Sequence, residues 1–320
     1  MTTFGYHASH EQHPPSRLLR DVQHAEQAGF GAISSSDHFT PWSERQGESG
    51  LAWAWLGAAM QRTTVPFGVV NAPGQRYHPA IVAQAIATLL EMSPGRLWVA
   101  MGSGEASNEH ITGDRWPSKP ERNERLLECV DTVRRLLRGE EVSVDGRIRV
   151  DRARLYTLPA ELPPLVGAAL SPETARWCGQ WADGLLTVNQ PTPALQRIIH
   201  EFYDGGGEGK PVSVQVKVAW ATSDEDALAG AYDQWRTNVF DSKLMADLER
   251  VDQFEEAARH VRPDDVRASV LVSSDLGQHR AWLEEIVALG VDAVYIHHVP
   301  KEQVPFIEAF GAKVLPELRA

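Results

Sequence analysis

The stretch Pro79-Ala-Ile-Val-Ala-Gln-Ala-Ile-Ala-Thr-Leu-Leu-Glu-Met-Ser-Pro-Gly-Arg-Leu-Trp-Val-Ala-Met-Gly-Ser-Gly-Glu105 decides how this chain folds. Pro79–Met92 reads as a helix opened by proline, whose fixed φ and missing N–H suit a first turn. Leu97–Met101 is a short apolar run that fits a buried strand, and it runs straight into the glycine loop Gly102-Ser-Gly104. Helix, strand, polar loop is one unit, and the same unit recurs in both directions.

Upstream, strands are predicted at Phe4–Ala8, Gly31–Ser36 and Val65–Val70, with helices at Ser16–Ala28, closed by Gly29, and Leu51–Arg62. Downstream, Pro120–Arg138 is a long helix with Leu126, Leu127, Val130, Val133, Leu136 and Leu137 on one face. Strands follow at Pro164–Ala169, Gly184–Val188, Val212–Ala219 and Val291–His297, with helices at Pro172–Ala182, Pro193–Phe202, Leu276–Leu289 and Val304–Leu318. Eight strands, each followed by a helix, predict parallel pairing through right-handed crossovers. At this length the repeat favours a closed (β/α)8 TIM barrel of the α/β class over an open doubly wound sheet. One domain over residues 1–320 is expected, with insertions at about 140–160 and 225–275. The first insertion alternates with period two around Asp145-Gly146, a hairpin signal. The second reads as a long helical region, Glu225–His260, and a short extended piece, Val270–Ser273.

Composition narrows the function. The chain has 320 residues, a formal net charge of −12 and no basic face, which argues against a nucleic-acid partner. Two cysteines, Cys129 and Cys178, fall in predicted helices and suggest no disulfide framework, so a reducing cytoplasm is the expected home. The first residues lack a basic and then apolar signal pattern, and no run is long enough to span a membrane.

In a (β/α)8 barrel the chemistry sits at the C-terminal ends of the strands. Those ends carry His7, Ser9 and His10; Asp37, His38 and Trp42; Asn71, Arg76 and Tyr77; Gly102, Gly104, Glu105, Asn108 and Glu109; Ser171; Asn189 and Gln190; Trp220 and Thr222; and His297 and His298. His38 and Glu105 each end a strand that is otherwise apolar. A histidine and a glutamate facing one cavity can divide base and acid roles. That suits removal of hydride and proton from a carbinol, or the reverse reduction, and other chemistry besides.

Gly102-Ser-Gly-Glu-Ala-Ser-Asn108 lacks the third glycine of a dinucleotide fingerprint, since position 107 is Ser. Close backbone approach to a flat ring is the better use of Gly102 and Gly104. Ser171-Pro172 reads as a capped helix start, which leaves free N–H groups suited to a phosphate. His7, His10, His13 and the pair His297-His298 invite a metal reading. A metal-dependent barrel hydrolase wants His-x-His at the first strand end, where this chain has Gly5 and Ser9 beside His7, so no metal is expected.

Four motifs in register resemble one family: Gly5-Tyr-His-Ala-Ser-His-Glu-Gln12, Ser36-Asp-His-Phe-Thr-Pro-Trp42, Arg76-Tyr-His-Pro-Ala-Ile-Val-Ala-Gln84 and Gly102-Ser-Gly-Glu-Ala-Ser-Asn-Glu109. They are similar to the luciferase-like superfamily, in its branch around coenzyme F420-dependent glucose-6-phosphate dehydrogenase. Within that branch the nearest fit is a subgroup of flavin oxidoreductases in which the deazaflavin has given way to FMN. The resemblance implies that His38 is the catalytic base, Trp42 the aromatic residue beside it and Glu105 the acid near the cofactor ring. It implies cofactor contacts at Asp37 and Asn108, and a non-prolyl cis peptide at Val69–Val70, which costs about 3–4 kcal/mol.

Two departures qualify it. Relatives have Gly-Gly at the phosphate-binding helix start, where this chain has Leu170-Ser171. The lysine that holds the sugar phosphate is replaced by the stretch Asn189-Gln190-Pro191. The expected function is therefore an FMN or F420 oxidoreductase, with a lean to FMN, acting on a small organic substrate other than glucose 6-phosphate. A flavin monooxygenase is the oxygen-using variant of that expectation. The alternatives are a barrel that binds flavin or a partner without turnover, and the metal-dependent hydrolase. A homodimer is expected too: Trp53 and Trp55 stand two positions apart on one helix and cannot share a face, and relatives use this region in dimers.

Overall fold

The protein is described here from a computed structural model that covers residues 1–319. Eight parallel strands close a barrel. They are β1 (Thr3–Ala8), β2 (Ala32–Ser35), β3 (Phe67–Asn71) and β4 (Leu97–Met101), then, beyond the hairpin β5 (Val142–Asp145) and β6 (Arg149–Ala153), β7 (Leu165–Ala168), β8 (Leu185–Val188), β9 (Val212–Ala219) and, beyond a two-residue edge piece β10 (Leu271–Val272), β11 (Ala293–His298). The order is β1-β2-β3-β4-β7-β8-β9-β11, and β11 pairs back with β1. Every expected barrel strand is present within two residues of its predicted ends, and the Asp145-Gly146 hairpin forms.

The outer layer is α1 (Pro15–Gln27), α2 (Ala52–Arg62), α3 (Pro79–Met92), the short α4 (Ala106–Glu109), α5 (Lys119–Leu137), α6 (Pro172–Gly179) and α7 (Thr192–Phe202), followed by α8 (Asp224–Trp235), α9 (Ser242–Asp247), α10 (Val251–Ala257), α11 (Leu276–Val287), α12 (Gln303–Lys313) and α13 (Leu315–Leu318). The sequence explains their ends. Ser118 and Glu121 form a reciprocal capping box at α5, and Gly139 closes that helix with φ +80°. The long helix expected over Glu225–His260 breaks into α8, α9 and α10. Asp241 turns its carboxylate onto the Lys243 N–H and caps a new start there.

Strand parity sets what fills the barrel. On β9 the valines 212, 214, 216 and 218 are buried against the helices, while Ser213, Gln215 and Lys217 take the lumen side and are only partly buried. The floor is closed by Trp98 and Tyr295, joined by an indole N–H to hydroxyl bond of 3.1 Å. Gly68 makes room for that pair, since a Cβ there would stand 1.9 Å from the Trp98 ring. A second apolar cluster, built from Ala227, Ala231, Trp235, Val266, Val270, Val272 and Val299, lies beside the barrel mouth and has Trp42 packed against it.

One expectation fails in the backbone. No peptide bond among the described residues is cis, so Val69–Val70 is trans. Here β3 keeps unbroken parallel register with β4 through Val70↔Ala100 and Asn71↔Met101, and the extended trans chain carries no isomer cost. Trp55 is buried in the main core, whereas Trp53 is only partly buried and packs at its edge. No helix among the described residues is long and apolar enough to cross a membrane.

Candidate active site

The turn after β1 sends a carboxylate back into the barrel mouth. Glu11 is buried, and its Oε2 accepts a hydrogen bond of 2.6 Å from the Ser9 hydroxyl. Its Oε1 stands 3.7 Å from Nδ1 of His38 at the end of β2. Burial pushes the Glu11 pKa up, but the charge of His38 and the hydroxyls of Ser36 and Ser9 outweigh it, so the carboxyl is held below its ordinary value. Reading the sequence missed Glu11: two residues past a serine in a polar turn, it looks like a solvated side chain.

On its other side His38 meets Trp42, with ring centroids 4.4 Å apart and planes at 66°. Trp42 in turn meets Trp235 of α8 at 5.9 Å. Glu105 follows the β4 glycine loop, and its Oε2 is sealed from solvent without a hydrogen-bond partner. Burial raises the Glu105 pKa, opposed by the charge of His38 and reinforced by Glu11. Two carboxyls around one imidazole are thus pushed in opposite directions, the arrangement that assigns separate proton-handling roles. His38 Nδ1 and the Trp42 indole N–H are likewise buried without a protein hydrogen bond, Nδ1 because it faces Glu11 at 3.7 Å.

The remaining predicted residues divide. Asp37 is buried in a network: Oδ2 accepts from Asn71 at 2.9 Å, Oδ1 accepts from the Tyr77 hydroxyl at 3.2 Å, and its carbonyl accepts from Arg76 at 2.7 Å. Asn108 accepts from the Phe39 N–H at 2.8 Å and the Thr40 N–H at 3.3 Å, which pins the loop that carries His38. Val69 is turned into the core, while Val70 lines the lumen with Ala100, Val166, Ala168 and Leu186. Gly104 adopts φ +85°, which favours glycine. A Cβ on Gly102 would meet nothing closer than 3.8 Å, so its absence leaves a shallow cradle over the strand ends.

Ser171 caps α6, its hydroxyl accepting from the Thr174 N–H at 3.3 Å. Leu170 stands 44% exposed, and its carbonyl accepts from Gln190 at 3.0 Å. His7, His10 and His13 go separate ways: His7 Nδ1 pairs with the Ser34 hydroxyl at 2.9 Å, His10 stands edge-on to Trp55, and His13 is buried with its pKa lowered to about 3 by burial.

Residues 1–293 match the profile of the luciferase-like monooxygenase family. An F420-dependent glucose-6-phosphate dehydrogenase of Nakamurella multipartita is 33% identical, over 99% of this chain and 96% of its own length. An F420-dependent hydroxymycolic acid dehydrogenase of Mycobacterium tuberculosis is 32% identical, over 97% and 87%. The solved structure of an F420-dependent secondary alcohol dehydrogenase in complex with an F420-acetone adduct superposes with a TM-score of 0.92 at 30% identity, covering 100% of this chain and 99% of the other. These relatives are F420-dependent and give the lean to FMN no support. The chain belongs to the luciferase-like monooxygenase family, and it is an oxidoreductase of the flavin type.

Proposed function

We propose that this protein is a dehydrogenase that uses coenzyme F420 to interconvert a small secondary alcohol and its ketone. One observation carries the reading: His38 lies beside a buried carboxylate whose pKa is lowered, Glu11, and acts on a buried carboxyl whose pKa burial raises, Glu105. When bound, the deazaflavin supplies a two-electron hydride acceptor.

His38 takes the substrate hydroxyl proton, and Glu11 stabilises the imidazolium that results. Trp42 shields one side of His38 and limits water at the reacting carbon. Glu105, whose carboxyl burial biases toward the protonated form, would be the proton donor to the cofactor ring. Val70, Gly102 and Gly104 would hold the cofactor, with Asp37 and Asn108 shaping the surrounding loops. The backbone N–H groups of the Leu170–Ser171 region at the start of α6 would hold the cofactor's phosphate. The residues fit the group on three counts: the orphaned Oε2 of Glu105, the cradle at Gly102, and the Ser171-capped helix start.

The chain assembles as a homodimer through the α2 side, where partly buried Trp53 is joined by Leu51 and Ile81, both more than half exposed on neighbouring helices. The functional reading is tested by titrating F420 and FMN separately and then adding 2-propanol. Tight F420 binding and bleaching on alcohol addition support it, and FMN binding in preference to F420 overturns it.

A further inference from the structure

The half of the barrel mouth opposite the glycine cradle holds a cation that the chemistry above leaves unused. Lys217 sits on the lumen side of β9 and is the register partner of His297 on β11. His297 lies 4.8 Å from His7, centroid to centroid, so these three residues form one layer across three strands. The layer abuts the aromatic wall: Trp235 is 5.1 Å from the His297 ring, and the Lys217 ammonium is 5.9 Å from the Trp235 ring.

Neither histidine supplies charge at neutral pH. Burial lowers His7 to about 4 and carries His297 well below its ordinary value. Both rings are also engaged, His7 with the Ser34 hydroxyl at 2.9 Å and His297 with Gln12 Oε1 at 2.6 Å. Lys217 is different. Burial lowers its pKa to about 8, so the side chain stays mostly charged at neutral pH, and no carboxylate among the described residues pairs with it. A partly buried cation that faces a cavity without a carboxylate beside it favours an anion there. Trp235 gives it only the face of a ring.

The geometry points to Lys217 as an anion subsite of the substrate pocket: the molecule whose carbinol or carbonyl reaches His38 carries a carboxylate or a phosphate that pairs with this ammonium, along the Trp42–Trp235 wall. This inference rests on the dehydrogenase reading and adds the substrate class, an anionic secondary alcohol or ketone.

The test is calorimetric titration of the protein, with and without F420, using three sets of probes. The first is 3-hydroxybutyrate, 4-hydroxypentanoate and 5-hydroxyhexanoate, the second the 2-alkanols of the same chain lengths, and the third the glycerol phosphates. Wild type is expected to bind at least one anion tenfold or more tighter than its uncharged counterpart, a gap of about 1.4 kcal/mol. The carboxylate and phosphate arms show which anion it is. Lys217→Met is expected to erase the preference while F420 affinity and 2-alkanol binding stay as they were, and Lys217→Arg to keep it. Equal binding of charged and uncharged probes by wild type, or a preference that survives in Lys217→Met, overturns the subsite. The wild-type comparison decides the matter even if Lys217→Met does not fold. Failure to bind F420 overturns the cofactor reading beneath it, and the titrations without F420 still judge the subsite on its own.

Discussion

Replacing Glu11 with Gln keeps the shape of the side chain and the Ser9 contact, and removes one negative charge 3.7 Å from His38. That charge acts on His38 once the imidazole has taken the substrate proton. Two unit charges at this separation attract by about 4 kcal/mol at an effective dielectric of about 20. The His38 side chain is 14% exposed, so solvent screens part of this, and about 2 kcal/mol is a conservative remainder. In rate terms the loss in kcat falls between about 30-fold and about 10³-fold. Glu11 acts through His38, so the KM for alcohol and the Kd for F420 should stay within about threefold of wild type. Glu11→Asp keeps the charge and should recover part of the rate. The assay is stopped-flow bleaching of F420 by 2-propanol or by an anionic alcohol, with F420 affinity measured separately. A kcat within threefold of wild type in Glu11→Gln, with the fold intact, would refute the reasoning.

Other consequences are equally direct. Folding raises the Glu105 pKa, so the stability linked to its protonated form is whole below the ordinary value of 4.5 and is lost as pH rises through the folded value. Gln cannot ionise, so the Tm of Glu105→Gln relative to wild type should be level below about pH 4.5, rise above it, and level off once the folded carboxyl ionises; a flat difference contradicts the shift. Gly68→Ala places a Cβ 1.9 Å from Trp98 and should cost about 3 kcal/mol in urea unfolding. Adding Trp98→Phe should return at least about 1 kcal/mol of that, since the clashing atoms belong to the larger ring; an additive double mutant would contradict the contact. Light scattering at micromolar concentration should give a dimer mass, and a monomer would end the assembly proposal.

The fold was legible because its signals are local. Each strand is a short apolar run, each helix has a marked start, and only one closed arrangement repeats that unit eight times. The residues at the strand ends followed from the same rule, which is why His38, Trp42 and Glu105 could be named together. Glu11 and Trp235 were not legible. Glu11 reaches His38 only because the turn after β1 folds inward, and Trp235 meets Trp42 only through packing of a distant insertion. Lys217 did leave a signal. Val212, Val214, Val216 and Val218 alternate with Ser213, Gln215 and Lys217, and in a barrel the continuous apolar parity faces the helices, which sends the polar one to the lumen. The expected cis peptide came from resemblance rather than from any residue, and the register of β3 on β4 runs against it. The lean to FMN rested on the added bulk of Leu170 and Ser171, whose side chains the structure turns to solvent and to the helix cap.

The central claim is that His38 serves as the base in F420-dependent alcohol oxidation. It is tested most directly by mixing F420 and a secondary alcohol with wild type and with His38→Ala under single-turnover conditions. The account predicts the same F420 Kd for both proteins, rapid bleaching in wild type, and bleaching slowed by about 10²-fold or more in His38→Ala. Equal bleaching rates in the two proteins would contradict it.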